Sequence, residues 1–218
     1  MSEQAPAKPR RGCLFYGCLS GTACLLAILI AFLLGLYQLK RMLNFYTDTH
    51  TTSLPAVQMT PAEIERVKQR IEDFQDALRS GRPTEPLVLN SDEINAMIES
   101  DPNLAQAKGK VYVTIEGDRL KGQLSFPLDE LGLPIFRGRY LNGSGIFEVA
   151  LQNGGLLVRA ESLEVKGKPL PGVYMDKIRS QNLAANLSNN TRASIALSHL
   201  QEIRVSDGKV VLVPKVER

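Results

Sequence analysis

The sequence is short of the residues that catalytic and metal sites most often use. Its three cysteines all lie within the first 24 residues, tryptophan is absent, and its two histidines, His50 and His199, are far apart in the chain. Beyond Cys24 there is therefore no thiol nucleophile and no disulfide, and two separated histidines make neither a zinc cluster nor a catalytic triad. We expect no metal and no cofactor, and we predict that the protein is not an enzyme.

Nucleotide and acyl-transfer motifs are also missing. The sequence has no G-x-G-x-x-G and no P-loop, and "NGSG" (142–145) lacks the G-x-S-x-G spacing of a nucleophile elbow. Two pairs of neighbouring acids remain. Asp92 and Glu93 fit the first turn of a helix, where carboxylates favour the helix dipole. Asp129 and Glu130 stand beside prolines and fit a turn, or an acid and base of a site that only the fold assembles.

Charge is absent from Gly12 to Leu39, and the run from Leu19 onward is dominated by Leu, Ile, Ala and Phe. About 20 apolar residues cross a bilayer core of roughly 30 Å, so a transmembrane helix is predicted over residues 13–39. A cleaved signal peptide would have a shorter apolar run ending in an A-x-A-like site, which is missing. A lipoprotein would carry its cysteine after the run, whereas Cys24 lies inside it.

The cysteines are interpreted as small apolar residues of this span, where a free cysteine behaves as a hydrophobe. No histidine or carboxylate lies near Cys13, Cys18 or Cys24 to complete a metal or redox site. Cys13, near the interface, is a candidate for palmitoylation. Arg10 and Arg11 form a twin-arginine pair, but "GCLFYG" after them fits that export signal poorly.

Orientation follows from the basic residues beside the span, since Lys and Arg resist translocation. Three precede it and two follow it: Lys8, Arg10 and Arg11, then Lys40 and Arg41. A short tail before one span and a large domain after it give the same order. We expect a single-pass protein of the inner (cytoplasmic) membrane, with a cytoplasmic N-terminus and an extracytoplasmic domain.

Small residues recur along the span at a spacing that lets helix backbones approach closely. They are Gly17, Gly21, Ala27, Ala31 and Gly35. The pattern permits a homodimer packed through the span, although such spacing also arises by chance.

The net charge of +3 belongs mostly to the anchor. Residues 1–43 hold five of the 26 basic residues and one of the 23 acidic residues, which leaves 21 basic and 22 acidic residues in 44–218. Nucleic-acid binding requires a concentrated basic face. The near-neutral domain is therefore expected to bind no nucleic acid.

Composition and periodicity divide the chain into five parts. They are a cytoplasmic tail (1–12), the transmembrane helix (13–39), a threonine-rich tether (40–59), an amphipathic helix (60–82) and an α+β domain (83–218). The amphipathic helix opens with Thr60 as N-cap, Pro61 at the first position and Glu63 closing a capping box, and it ends at Gly81. Its apolar stripe is Ile64, Val67, Ile71, Phe74 and Leu78.

A short strand, "LVL", precedes a second capped helix, "NSDEINAMIES", with Asn90 or Ser91 at the cap and Pro102 closing it. Ile94, Met97 and Ile98 are expected on one face of this helix. After residue 170, apolar spacing predicts one or two helices broken near Asn189 and Asn190, built on Val173, Ile178, Leu183, Leu187, Ile195, Ala196 and Leu200.

Three antiparallel hairpins are predicted from two-residue turns at Gly117-Asp118, Asn153-Gly154 and Asp207-Gly208. Each register matches apolar residues on one face. The pairs are Ile115 with Leu120, Val113 with Gly122 and Val111 with Leu124; Leu151 with Leu156, Val149 with Val158 and Phe147 with Ala160; Val205 with Val210 and Ile203 with Leu212. The last strand is apolar on both faces, which predicts a covered position. "NGSG" is the expected bulge or bend where the apolar phase shifts.

A candidate binding site lies in "FRGRY". Phe136, Gly138 and Tyr140 alternate with Arg137 and Arg139, so a strand here would project both arginines from one face. Guanidinium groups offer paired donors to phosphate or carboxylate. Arg137 and Arg139 are therefore predicted to contribute if the domain binds anionic lipid or an acidic partner, although alternating charge on a solvated sheet face is also ordinary.

Four phrases carry a resemblance to a known class. "LVLNSDEINAMI", "FPLDELGLPIFRGRYLNG", "SLEVKGKPLP" and "IRVSDGKVVLVP", within residues 86–214, resemble small, uncharacterised bacterial envelope proteins with one N-terminal span and an extracytoplasmic α+β domain. The layout is similar to YpmS-like proteins and, more remotely, to tubular lipid-binding domains. The resemblance implies a location and an architecture, and it transfers no site residues.

The expected fold is α+β: a transmembrane helix, then one antiparallel sheet of about six or seven strands built from hairpins, with helices packed on one face. The expected function is a membrane-anchored, non-enzymatic envelope module that binds a protein partner or lipid near the membrane. The alternative is a membrane-bound hydrolase or transferase in which a deep polar cleft unites Asp129 and Glu130 with Arg137 or Arg139.

Overall fold

The computed structural model of the protein describes residues 13–185 and 191–215, with side chains from residue 24 onward and none described for 186–193. The chain divides into two compact units, Met1–Tyr46 and Thr47–Arg218. The first contains an apolar helix, and the second contains antiparallel sheets with helices. The α+β class with an N-terminal apolar helix is therefore confirmed.

Helix α1 spans Cys13–Tyr46 and continues beyond the predicted end at residue 39. Residues 40–46 include Lys, Arg, Met and Leu, which are good helix formers, and contain no glycine or proline to stop the helix. The segment Cys24–Tyr46 is exposed and has a mean hydropathy of 1.7. By length and composition it is able to cross a membrane, a criterion that a signal sequence also meets.

Helix α2 spans Pro61–Arg79. Thr60 caps it and forms the predicted capping box with Glu63, and Gly81 follows its end with a φ of +63°. Its buried residues are Val67, Phe74, Ala77 and Leu78. The predicted stripe is therefore the face that enters the core.

Acidification is expected to loosen the start of α2. The Glu63 carboxylate accepts hydrogen bonds from the backbone N–H of Thr60 at 2.8 Å and from its Oγ1 at 2.7 Å. These bonds hold the pKa of Glu63 below its usual range. A depressed folded-state pKa gives stabilisation that is present above the unfolded-state pKa and is lost as the pH falls through the folded-state value.

An NMR titration of the Glu63 carboxyl checks this expectation. Thr60→Ala removes the hydroxyl donor and should bring the pKa of Glu63 back toward its ordinary value. An identical pKa in the two proteins would contradict the assigned cause.

Strand β1 (Leu87–Asn90) leads directly into α3 (Ser91–Ser100), whose N-cap is Asn90 in a second capping box with Glu93. The predicted helix is confirmed. Ile94, Met97 and Ile98 are half-buried on one side of it, and its fully buried residues are Asn95 and Ala96. A 3-10 helix, Pro102–Leu104, follows.

A five-stranded antiparallel sheet forms the larger part of the domain, in the order β2-β3-β4-β5-β6. Its strands are β2 (Val111–Glu116), β3 (Arg119–Pro127), β4 (Tyr140–Gln152), β5 (Gly155–Val165) and β6 (Lys168–Pro169). The predicted registers of the first two hairpins are confirmed pair by pair. Two 3-10 helices, Leu128–Leu131 and Pro134–Phe136, lie between β3 and β4.

The predicted bulge at "NGSG" is wrong, since residues 142–145 lie in regular β4 and the register shifts between Ile146 and Phe147. The glycines there serve close packing. A Cβ on Gly145 would lie 2.6 Å from Leu163 Cδ2 and 3.0 Å from the Phe147 ring. Gly122, which pairs with Gly145, would place a Cβ 2.9 Å from the same ring.

Asparagine side chains bond the edge strand β2 and the part of β5 that the two-residue strand β6 does not cover. Asn95 of α3 accepts from the N–H of Val113 at 2.8 Å and donates to its carbonyl at 2.6 Å. Asn182 accepts from the N–H of Val158 at 3.0 Å and donates to the carbonyl of Leu156 at 2.9 Å. Each amide group therefore takes the part of a further strand at an edge. These bonds set α3 at the edge of the sheet, and helix packing on one face stays a prediction.

Two short helices follow β6. They are α4 (Gly172–Arg179) and α5 (Thr191–Ser198). Leu187 and the predicted break at Asn189-Asn190 lie outside the described residues. Leu200 was expected in a helix but begins strand β7. The register with β8 shifts between Leu200 and Glu202, so that Leu200 and Ile203, three residues apart, are both buried in the core.

A second antiparallel sheet has three strands in the order β1-β8-β7, where β7 spans Leu200–Ser206 and β8 Lys209–Pro214. The third predicted hairpin is confirmed, and β8 lies between its two neighbours. The expected single sheet of six or seven strands is wrong: the described residues form sheets of three and five strands. The third hairpin pairs with β1, far upstream in the chain, instead of extending the larger sheet.

The core joins the two sheets and α2. Its buried residues are Phe74, Leu78, Leu87, Leu200 and Ile203. Side chains from the far end of the β4–β5 hairpin pack against them, among them Val149, Leu151 and Leu156. The apolar faces predicted for α2 and two of the hairpins thus meet in one cluster.

Candidate functional site

Arg137 and Arg139 lie in a loop and not on a strand. The 3-10 helix Pro134–Phe136 precedes them, Gly138 between them has a φ of +67°, and β4 begins only at Tyr140. The predicted strand is therefore wrong, because Pro134 starts a turn and Gly138 reverses the chain direction. Arg137 is exposed and Arg139 is half-buried, so the two side chains are not equivalent.

Arg139 is bonded to the first residue of the second unit. Its Nη1 donates to Thr47 Oγ1 at 2.5 Å. Beside it, Asp48 and Tyr140 exchange two backbone hydrogen bonds of 2.8 Å each, which form an isolated antiparallel bridge. The start of β4 therefore holds the chain from Thr47 onward.

Residues 47–52, which we call the junction segment, continue along a buried polar pair on the sheet. Ser125 and Asn142 are both buried and lie 2.8 Å apart through a hydrogen bond from Ser125 Oγ to Asn142 Oδ1. Thr51 Oγ1 bonds Ser125 Oγ at 2.8 Å, and the N–H of Thr52 lies 3.1 Å from the same oxygen. Asn142 Nδ2 donates to the carbonyl of His50 at 2.8 Å.

The predicted tether is thus divided in the structure. Residues 40–46 extend helix α1, and the junction segment is fixed to the sheet. Threonine hydroxyls and an irregular backbone suit this role, because they supply donors and acceptors to the polar groups of Ser125 and Asn142. Within the described part of the chain, residues 53–59 form no regular secondary structure and are mostly exposed.

Replacing Asn142 by alanine is expected to loosen the junction segment. The variant loses bonds to Ser125, His50 and the N–H of Thr52, and the partner groups become unsatisfied. The free energy of unfolding should fall by about 2 kcal/mol. Denaturant unfolding of the detergent-solubilised chain checks this, with the exposed amide Asn103→Ala as control. A change no larger than that of the control would contradict the role of Asn142.

The loop of residues 128–139 between β3 and β4, called the β3–β4 loop below, is shaped by its own acids. Asp129 Oδ1 accepts from the N–H of Gly138 at 2.9 Å, and Glu130 pairs with Lys110 Nζ at 2.6 Å. The N–H of Leu128 closes the base of the loop on the carbonyl of Arg139 at 2.8 Å. The acids considered as an acid and base pair thus order the loop.

Large apolar side chains project from the same loop. Leu131 and Leu133 are each 53 % exposed, and Ile135 is 43 % exposed. Apolar residues at alternate positions usually bury one face of a strand, but the 3-10 helices prevent a strand here. The loop therefore presents three apolar side chains next to the exposed Arg137.

The largest described cavity lies between α2 and α3, with a volume of about 700 Å³. Its walls carry charges of both signs, including Glu65, Lys68, Glu72 and Arg79, and Lys68 lies 3.6 Å from Glu65. The cavity does not include Asp129, Glu130 or either candidate arginine. It is an open groove of mixed charge, with three acidic and two basic residues in its lining.

The remaining candidates are metal-binding groups and the small residues of helix α1. Among the side chains that the structure describes, in 24–185 and 194–215, no group of three or more His, Cys, Asp or Glu residues is placed to hold a metal ion. Ala27, Ala31 and Gly35 lie on α1 and are exposed. The surroundings of Gly17 and Gly21 lie outside the described residues, and homodimerisation stays a prediction.

Sequence patterns did not single out the junction segment or the apolar loop residues. The available signal for the loop was three large apolar residues among Pro127, Gly132 and Pro134, where a strand is disfavoured. The signal for the junction was a set of hydroxyl side chains directly after the apolar helix.

No family model matches this chain, and no curated protein and no solved structure matches it. Its function is therefore inferred from the contacts described above.

Proposed function

We propose that this chain is a single-pass membrane protein of a bacterial cell envelope whose domain is a non-enzymatic binding module held at the membrane surface. The observation that carries the proposal is the junction segment. The apolar helix α1 is long enough to span a bilayer, and it ends at Tyr46. The chain is hydrogen-bonded to the start of β4 from Thr47 and Asp48 onward. An anchor with so short a connection suits a protein that acts close to the membrane.

The contacts of the acids favour binding over the alternative of a hydrolase or transferase. Asp129 is bonded to the backbone of Gly138, and Glu130 is paired with Lys110. A general acid or base needs a free position beside a substrate. Both carboxylates are exposed and already engaged in shaping the loop, so they support a structural role.

The orientation proposed is a cytoplasmic N-terminus and an extracytoplasmic domain in the inner membrane, from the basic residues that flank the span. Among the candidate arginines, Arg137 is the one exposed to a partner, whereas Arg139 positions the loop through Thr47. The partner class is a protein with acidic groups or an anionic lipid.

A protease site inserted between Pro55 and Ala56, in the exposed segment after the junction, tests the topology. In cells whose outer membrane has been opened, an external site-specific protease should cleave the full chain, as seen by its size on a denaturing gel. The unmodified chain is the control. Protection in cells with an opened outer membrane and an intact inner membrane, with cleavage only after lysis of the inner membrane, would overturn the proposed topology.

Alkaline carbonate extraction tests the proposal that α1 anchors the chain in the membrane. The full chain should stay in the membrane pellet. Release into the supernatant would show that α1 does not span the bilayer.

A further inference from the structure

The β3–β4 loop exposes three large apolar side chains to solvent. Leu131, Leu133 and Ile135 are each about half exposed, and they follow one another at alternate positions in a loop that is ordered by its own hydrogen bonds. Large exposed apolar side chains that are gathered in one loop, and not scattered singly over the surface, generally mark an interaction site. The patch needs an occupant of apolar character.

Chain connectivity identifies that occupant. The base of the loop is bonded to Thr47 through Arg139 and to Asp48 through Tyr140. Thr47 is joined by one peptide bond to Tyr46, the last residue of the apolar helix α1. If α1 spans a bilayer, as proposed above, the base of the loop is therefore tied to the point where the chain leaves the membrane.

The lengths of the segments bring the loop within reach of the lipid. The charges at Lys40 and Arg41 mark the end of the uncharged run, and residues 40–46 then rise about 10 Å at 1.5 Å per residue. The headgroup region on one side of a bilayer is about 5–8 Å thick. From Arg139, Leu133 is six residues away across the 3-10 helix Pro134–Phe136, a reach of about 10 Å at 2.0 Å per residue.

Charge complementarity selects the kind of lipid. Arg137 is exposed beside the apolar side chains, and no ion pair involves it within the described part of the chain. The two acids of the loop are occupied by Gly138 and Lys110. An apolar tip next to a cationic side chain is the combination that binds an anionic membrane interface.

We propose that the β3–β4 loop inserts Leu131, Leu133 and Ile135 into the interface of the bilayer that α1 spans, with Arg137 on an anionic headgroup. The inference rests on the proposed function, because it requires that α1 be a membrane anchor. It gives the domain a second contact with the membrane besides its helix. The Arg139–Thr47 bond holds the loop in position for that contact.

Depth-dependent fluorescence quenching tests the insertion in the full chain. In a background with Cys13→Ala, Cys18→Ala and Cys24→Ala, a polarity-sensitive fluorophore is attached at Leu133→Cys. The chain is reconstituted into vesicles of phosphatidylethanolamine and phosphatidylglycerol that contain nitroxide-labelled lipids. A probe at Ile30→Cys reports on the span.

A third probe at Gln152→Cys gives the matched control. Gln152 is exposed at the other end of β4, about 40 Å along the strand.

The expected result is blue-shifted emission and quenching by shallow nitroxides at Leu133, strong quenching by deep nitroxides at Ile30 and none at Gln152. The double substitution Leu131→Ser and Ile135→Ser should reduce the quenching at position 133. Arg137→Gln alone should also reduce this quenching, and the reduction should be larger in the anionic vesicles than in vesicles of neutral phosphatidylcholine.

Two outcomes would overturn the inference in distinguishable ways. Quenching at Ile30 with a water-exposed, unquenched probe at Leu133 would overturn loop insertion and leave the membrane anchor standing. An unquenched probe at Ile30 would overturn the proposed anchor, and loop insertion with it.

Discussion

Replacing Asn95 by leucine is expected to lower the free energy of unfolding by about 3 kcal/mol, although the two side chains have the same number of heavy atoms and the same branching. Asn95 is 1 % exposed and is the largest fully buried side chain among the described residues. Its amide bonds both the N–H and the carbonyl of Val113 at the outer edge of β2. Leucine would leave these two backbone groups without partners, and each unsatisfied buried group costs about 1–3 kcal/mol.

Denaturant unfolding of the purified chain in detergent measures the effect. Gln123→Ala removes an exposed amide from the neighbouring strand β3 and should change the stability by less than about 0.5 kcal/mol. The amide of Val113 should also exchange its hydrogen faster in Asn95→Leu, because it loses its bond to Asn95. If Asn95→Leu were as stable as the Gln123 control, edge pairing by α3 would be wrong.

Phe74→Ala is expected to lower the free energy of unfolding by about 3–5 kcal/mol. Phe74 lies in the cluster where α2 meets both sheets, next to the buried Leu78, Leu87 and Leu200. Truncation removes the apolar ring and leaves a cavity between elements from distant parts of the chain. The same denaturant experiment measures it.

Glu72→Ala, an exposed position on the same helix, is the matched control and should have little effect. A Phe74 variant that unfolds at the same denaturant concentration as the control would show that α2 is not part of the core.

The hairpins were predictable because their information is local. A two-residue turn fixes the register, and the register then decides which side chains face each other, as with Val149 and Val158 across the Asn153-Gly154 turn. Helix α2 was predictable for the same reason, since Thr60, Glu63 and the apolar stripe all lie within one segment.

The division into two sheets was not predictable from these local patterns. Leu212 faces both Ile203, across a tight turn, and Leu87, more than a hundred residues upstream. The two-residue turn fixes the first pairing, whereas the second pairing depends on how the domain folds around α2. The sequence pattern of β8 would fit any apolar strand as its second neighbour, so it does not select β1.

The candidate site was predicted in composition but not in geometry. Arg137 and Arg139 were expected side by side on a strand, yet Pro134 and Gly138 turn the chain and give them different environments. The partner of Arg139 is Thr47, a residue of the segment that was interpreted as a tether. A contact between residues so far apart in the chain leaves no periodic signal in either segment.

Both proposals depend on the claim that the chain is fixed to the sheet from its first residues after the apolar helix. Hydrogen exchange of the full chain in lipid vesicles tests it most directly. The amides of Asp48 and Thr52, which are bonded to Tyr140 and to Ser125 and Asn142, should exchange roughly tenfold or more slowly than those of residues 53–59. Equal, fast exchange from residue 47 to residue 59 would show a flexible tether and contradict the claim.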